Sequence, residues 1–290
     1  MIGATFAFAA MGVAAKLAYQ RLPWHEVAAG RAGFGALAVW LWARSRGISL
    51  RVHDRGTQWR RTLAGTLALW CGFYALSVLP LGDAVTLSSL GPIFVAALSP
   101  WLLRERPGAR VWAPLLLAFA GTACIAGVDA AGSAGRPLGV AAGLGGALAG
   151  TLAMIYLRRL GPSESAEGVS LHFMTWAAIL TGAIGLGHHV VPGPAELALL
   201  ALAGAAGALG QVMMTHAYGL DLAARVSALG YAGIVVNLGL AVALLGERPT
   251  KVQLVGSALV LVAGLGLAGL GAWRSPRAAP PGGGAAPARR

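Results

Sequence analysis

Apolar runs long enough to cross a bilayer recur ten times along this chain, separated by short segments that carry arginine. They fall near residues 2–19, 27–43, 62–80, 84–103, 111–128, 138–157, 169–187, 195–218, 224–245 and 252–272. At about 1.5 Å per helical residue, each reaches across roughly 30 Å of hydrocarbon, the second with help from snorkelling flanks. In lipid every backbone group must be bonded internally, and runs of this length do that as helices. The charged fraction is 11%, against about 25% in a soluble domain, so lipid is the expected solvent. The first run lacks a basic leader and ends in Lys16-Leu17-Ala18-Tyr19, which reads as a retained helix rather than a cleaved signal.

The distribution of arginine sets an orientation. With both termini cytoplasmic, inside segments carry sixteen arginines: 44, 46, 51, 55, 60, 61, 104, 106, 110, 158, 159, 225, 274, 277, 289 and 290. Outside segments carry four basic residues, Arg21, Arg136, Arg248 and Lys251, and Lys16 and Arg31 fall within spans. That bias holds loop after loop and explains the +12 net charge without nucleic acid. The basic tail, 273–290, is rich in Pro, Gly and Ala and is expected to be a disordered cytoplasmic segment held at the anionic leaflet. Arginine outnumbers lysine twenty to two, in keeping with a GC-rich bacterial genome and a bacterial inner membrane.

One stretch occurs twice. Ala84–Pro107 and Val226–Pro249 align without gaps at an offset of 142, with eight matches in 24 positions, ending in Glu-Arg-Pro. A duplicated unit is expected, with residues 1–128 and 138–272 as two five-span repeats and 129–137 as an outer linker. Five spans is odd, so the second repeat enters the membrane upside down. The expected fold is an all-α integral membrane protein of ten transmembrane helices in two inverted repeats, a plan suited to alternating access.

The residues also resemble a family. Met11-Gly12, Lys16, Arg31, Phe73-Tyr74-Ala75-Leu76, Leu79-Pro80-Leu81-Gly82-Asp83-Ala84, Pro92, Glu105 and Glu247 resemble the EamA-like branch of the drug/metabolite transporter superfamily. Tyr231 and Gly246-Glu247-Arg248-Pro249 suit it as well. The first half looks most like the bacterial group that includes S-adenosylmethionine uptake carriers. The resemblance implies ten helices, two inverted bundles and a central cavity for a small solute. One departure stands out: Ile234 occupies the place of Pro92 in the second repeat.

Candidate site residues follow from polarity at depth. Lys16 and Arg31 are the basic residues placed inside spans, where a charge costs about 2.5–3.5 kcal/mol on insertion scales. Two readings stand: contact with an anionic solute group, or snorkelling and pairing with Glu26 or Asp83. At an offset of 141, Arg31 meets His172 and Glu26 meets Glu167. Gly91-Pro92 should break the fourth span, with Ser88 and Ser89 one turn earlier able to bond the freed carbonyls or a solute. Trp70 and Tyr74 form an aromatic strip; Gln211 and His216 crowd the eighth span; Tyr231 and Asn237 lie on the ninth. For each aromatic, core packing is the competing reading, and for Asn237 it is interhelical bonding. Glu105 and Glu247 close their helices and read as latches between helices.

Absences matter too. All ten acids fall in loops or at span ends, so proton coupling would need His172 or His216. An intramembrane enzyme would need a catalytic constellation, and the depth holds hydroxyls and two histidines without an orienting acid. His188-His189 lacks a third ligand, the two cysteines stand apart in spans, and no cofactor or metal motif is present. The expected function is a secondary transporter of an amino-acid-like or nucleoside/sulfonium-like metabolite. Its partners are that solute and the bilayer, with room for a homodimer. A polytopic sensor or structural protein is the alternative.

Overall fold

Where apolar residues repeat, the chain coils. The computed structural model describes residues 1–91, 93–94, 112–127, 136–160, 164–185, 190–220 and 232–272. Among them stand ten helices and no strand: α1 (Ile2–Ala18), α2 (Trp24–Arg46), α3 (Arg55–Val78), α4 (Leu81–Ser88), α5 (Trp112–Gly127), α6 (Arg136–Leu160), α7 (Ala166–Ile184), α8 (Pro194–Leu220), α9 (Ala232–Leu245) and α10 (Lys251–Ala272).

Each lies on one expected run, but several begin earlier than hydropathy suggests, α3 by the most. Pro23 precedes the first residue of α2, and Gly47, at φ 63°, closes the helix in the left-handed conformation that glycine tolerates. α3 begins at Arg55, not near 62, because the Asp54 carboxylate accepts the Thr57 N–H at 3.0 Å as an N-cap. Arg60 and Arg61, counted above with the loop, therefore sit inside a helix. Arginine lowers hydropathy but forms helix well, so the two boundaries part company.

The expectation that all ten runs are long and apolar enough to span unaided needs correction. Among the described residues, Pro137–Leu157 and Pro194–Ala217 meet both conditions. α1 is shorter, α9 is described only from Ala232, and α2 and α3 carry arginines.

The bundle turns large apolar side chains outward and buries a set of polar ones within its apolar core. Trp40, Leu41, Leu67, Leu116, Leu209 and Val255 face outward, whereas Gln58, Arg61, Thr66, Ser170, Thr181 and Gln211 are buried. Water would not tolerate that perimeter; lipid does. Small residues bring the backbones together. A Cβ on Gly204 of α8 would stand 2.5 Å from the Phe34 Cβ and 2.8 Å from the Gly35 nitrogen of α2. One on Gly146 of α6 would stand 3.3 Å from the Gly72 nitrogen of α3.

Both ends of the bundle are tied. At the arginine-rich end, Glu164 accepts the His53 and Asp54 N–H groups, each at 2.9 Å, and the Ser165 hydroxyl donates to the Ser49 carbonyl at 2.7 Å. At the other end, Glu26 accepts the Val190 N–H at 2.6 Å and Arg21 pairs with Glu196 at 3.2 Å.

Candidate functional site

α2, α3, α7 and α8 each bury one stripe at helical spacing, and the polar members of those stripes meet in the interior. On α3 the buried stripe includes Gln58, Arg61, Thr62, Gly65, Thr66, Leu69 and Phe73. On α7 it includes Glu167, Ser170, Phe173, Met174 and Thr181. α2 contributes Arg31, and α8 contributes Gly207 with Gln211 one turn on.

Arg31 is 4% exposed. Its Nε donates to the Met11 sulfur at 3.2 Å, and its guanidinium carbon lies 5.9 Å from the Phe73 ring centroid. It forms no ion pair with Glu26 or Asp83, so the expected outer pairing does not occur; Gly207 lacks the Cβ that would meet its Nε at 2.7 Å. Lys16 takes a different role. Its Nζ donates to the carbonyls of Leu76, at 2.9 Å, and Leu79, serving groups left over at the α3 C-terminus.

Arg61 is the residue that sequence reasoning missed. It is 2% exposed, with its guanidinium carbon 4.0 Å from the Phe173 centroid and its Nη1 beside Gly65. Its neighbour Arg60 and its place after a polar loop disguised it. The stripe at 58, 61, 62, 65 and 66 was the available signal. Lys16 and Arg31 are therefore not the only basic residues at depth.

The other candidates divide. His172 Nδ1 lies 3.0 Å from the Thr62 hydroxyl, and its ring meets Trp59 edge-on at 5.0 Å. Trp70 donates to the Thr181 hydroxyl at 2.7 Å, and Tyr74 packs edge-on against Trp24 at 6.1 Å. The Ser88 and Ser89 hydroxyls both donate to the Val85 carbonyl at 2.8 Å. α4 turns at 89–90, and the Gly91 carbonyl accepts the Thr151 hydroxyl at 2.9 Å, so that group is already used. Asn237 donates to the Gly233 carbonyl at 2.8 Å. Glu247 accepts the Leu81 N–H at 3.0 Å, at the first turn of α4, rather than pairing with Arg248. Pro92, Glu105 and Tyr231 lie outside the described residues. One expectation fails: His216 does have an acid nearby, since Glu167 Oε1 lies 3.3 Å from its Nε2.

Several buried polar atoms in this interior have no hydrogen-bond partner among the described residues: Arg61 Nε and Nη1, Thr66 Oγ1, Ser170 Oγ and Gln211 Nε2. A largely apolar crevice of 440 Å³ opens between Leu22, Phe34, Gly182, Val191 and Leu200, with His25 and Glu26 at its wall and none of these unpartnered groups in its lining.

The sequence model of the EamA-like transporter family matches residues 1–127. Residues 1–127 belong to that family. The chain is also similar to the pseudopaline exporter CntI of Pseudomonas aeruginosa, 29% identical over 265 residues that cover 91% of this chain and 93% of that protein. An uncharacterized transporter of Helicobacter pylori is 28% identical over 214 residues, covering 71% of this chain and 70% of that one. A crystal structure aligns over 94% of this chain and 96% of its own with a TM-score of 0.68 and 21% identity, a likeness of fold. The family model thus covers the first part of the chain, and the relatives that align over most of its length are named as transporters.

Proposed function

We propose that the chain is a secondary transporter that moves a small polar organic metabolite across a bacterial inner membrane by alternating access. Ten spans in two inverted repeats, 1–128 and 138–272, with both termini cytoplasmic, would provide the two gates. One observation carries the reading. A bundle with an apolar perimeter holds buried polar groups, several of them without a bonding partner, between α2, α3, α7 and α8. Such groups are costly as structure and useful as a site.

The ties at the two ends fit this mechanism. Each consists of a few hydrogen bonds or an exposed ion pair, worth about 1 kcal/mol apiece, so one end can open while the other holds. Likeness to the pseudopaline exporter supports a dissolved metabolite as cargo. Arg31, Trp70, Tyr74, His172 and Gln211 are the sequence candidates nearest that route; Lys16, Ser88, Ser89 and Asn237 are better placed to hold helices together.

The test is counterflow. Proteoliposomes loaded with each member of a metabolite panel should accumulate the matching labelled solute from outside, in either orientation. If no solute is exchanged across the panel while the protein remains folded, a sensor or structural role replaces the carrier.

A further inference from the structure

Two guanidinium groups share the interior of this bundle. Arg31 enters from one end, seven residues along α2 from Trp24, and Arg61 from the other, six residues along α3 from Arg55. At about 1.5 Å per residue, each lies about 10 Å inside its end of the bundle. Both guanidinium groups lie along the buried stripe of α3, Arg61 beside Gly65 and Arg31 beside the Phe73 ring, two positions about 12 Å apart along that helix. Neither forms an ion pair with a described acid.

Guanidinium keeps its charge at any working pH, so neutralisation cannot relieve the cost of burial. The contacts present do little for the N–H groups. Phe173 attracts Arg61 through its ring face, which leaves Nε and Nη1 without an acceptor. Arg31 Nε has only a thioether sulfur, a weak acceptor. Stability alone would favour apolar residues at both positions.

We infer that Arg31 and Arg61 together form an anion seat for a solute with two acidic groups, one bound by each guanidinium. Carboxylates match the guanidinium fork and can accept the unpartnered Arg61 N–H groups. Gln211 Nε2 is a further buried donor, and the Ser170 and Thr66 hydroxyls can bond an amino or hydroxyl substituent. Two like charges from opposite ends explain why one anionic group would leave a charge uncompensated. The seat excludes sulfonium-like cations from the cargo. It names the substrate class of the proposed transport site and rests on that reading for its role in transport, though not for its binding.

Glutarate and its half-amide serve as probes, with succinate and inorganic phosphate alongside. Binding is measured on the purified full chain in detergent. The diacid should bind at least about tenfold tighter than the half-amide, the loss of one charge-assisted hydrogen bond. Arg61→Gln should bring the two within about twofold, and Arg61→Lys should restore part of the gap. Equal binding of diacid and half-amide to the unaltered protein overturns the seat, as does failure of either diacid to bind; neither result needs a variant to fold. Phosphate binding as tightly as the diacids overturns it too, leaving a simple anion hole. A diacid that binds but is not exchanged in proteoliposomes sinks the carrier and leaves the seat. Exchange of a neutral or cationic solute at an unchanged rate in Arg61→Gln sinks the seat and leaves the carrier.

Discussion

Glu167 and His216 meet across α7 and α8, with Oε1 3.3 Å from Nε2. The acid side chain is enclosed, at 9% exposure, while the imidazole is 56% exposed. A carboxyl group and an imidazole in contact can hand a proton from one to the other. Glu167→Gln and His216→Gln should therefore each flatten the response of uptake to an imposed pH gradient, while solute counterflow continues. Proton-driven uptake unchanged in both variants would take this pair out of the coupling step.

Lys16 belongs to the scaffold by its contacts. Replacing it with Met should leave the α3 carbonyls of Leu76 and Leu79 unserved and destabilise the protein by about 1–3 kcal/mol, read as a lower Tm. Solute affinity of the folded fraction should not change. A loss of affinity with Tm intact would return Lys16 to the site.

The contact between α2 and α8 has no room for a methyl group at Gly204. Gly204→Ala should cost about 1–3 kcal/mol through overpacking against Phe34 and Gly35. Gly33→Ala, on the same helix pair but with nothing within 4 Å of the added carbon, is the control and should stay within about 0.5 kcal/mol. Equal effects in thermal unfolding would mean that the helices do not approach as described.

Glu164 ties the α2–α3 loop to the α6–α7 loop. Burial works to raise its carboxyl, but the Asp54 and His53 N–H groups and the His53 ring outweigh that and hold it below the usual carboxylate range. Because the folded value is lowered, the stabilisation is present above the unfolded value of about 4.3 and fades as pH falls through the folded value. The Tm gap between the native protein and Glu164→Gln should be constant near neutrality and close as the pH drops below about 4. A gap that widens in acid contradicts this assignment.

The inverted plan can be checked by labelling. Cysteines placed at Gly108 and Thr250, in a background without Cys71 and Cys124, should react unequally with an impermeant thiol reagent on intact spheroplasts. Equal reaction at both would remove the inverted repeat.

Helix formation in this chain was legible because it is a local matter. An apolar run of sufficient length must satisfy its own backbone in lipid, whichever helices surround it, so each of the ten described helices overlaps one expected run. The EamA-like pattern in residues 1–127 was legible for the same reason, as residues in fixed order. Boundaries were less so: Asp54 and Gly47, not loss of hydropathy, decide where α2 ends and α3 begins. The site depended on tertiary structure. Arg61 is buried because the Phe173 ring of α7, for which Gly65 leaves room, accepts its face, and no window along α3 contains α7. Lys16 reaches backbone carbonyls some 60 residues away, and Glu167 reaches His216 across 49. The cost of burying a charge depends on which groups surround it, and only the packing of distant helices decides that.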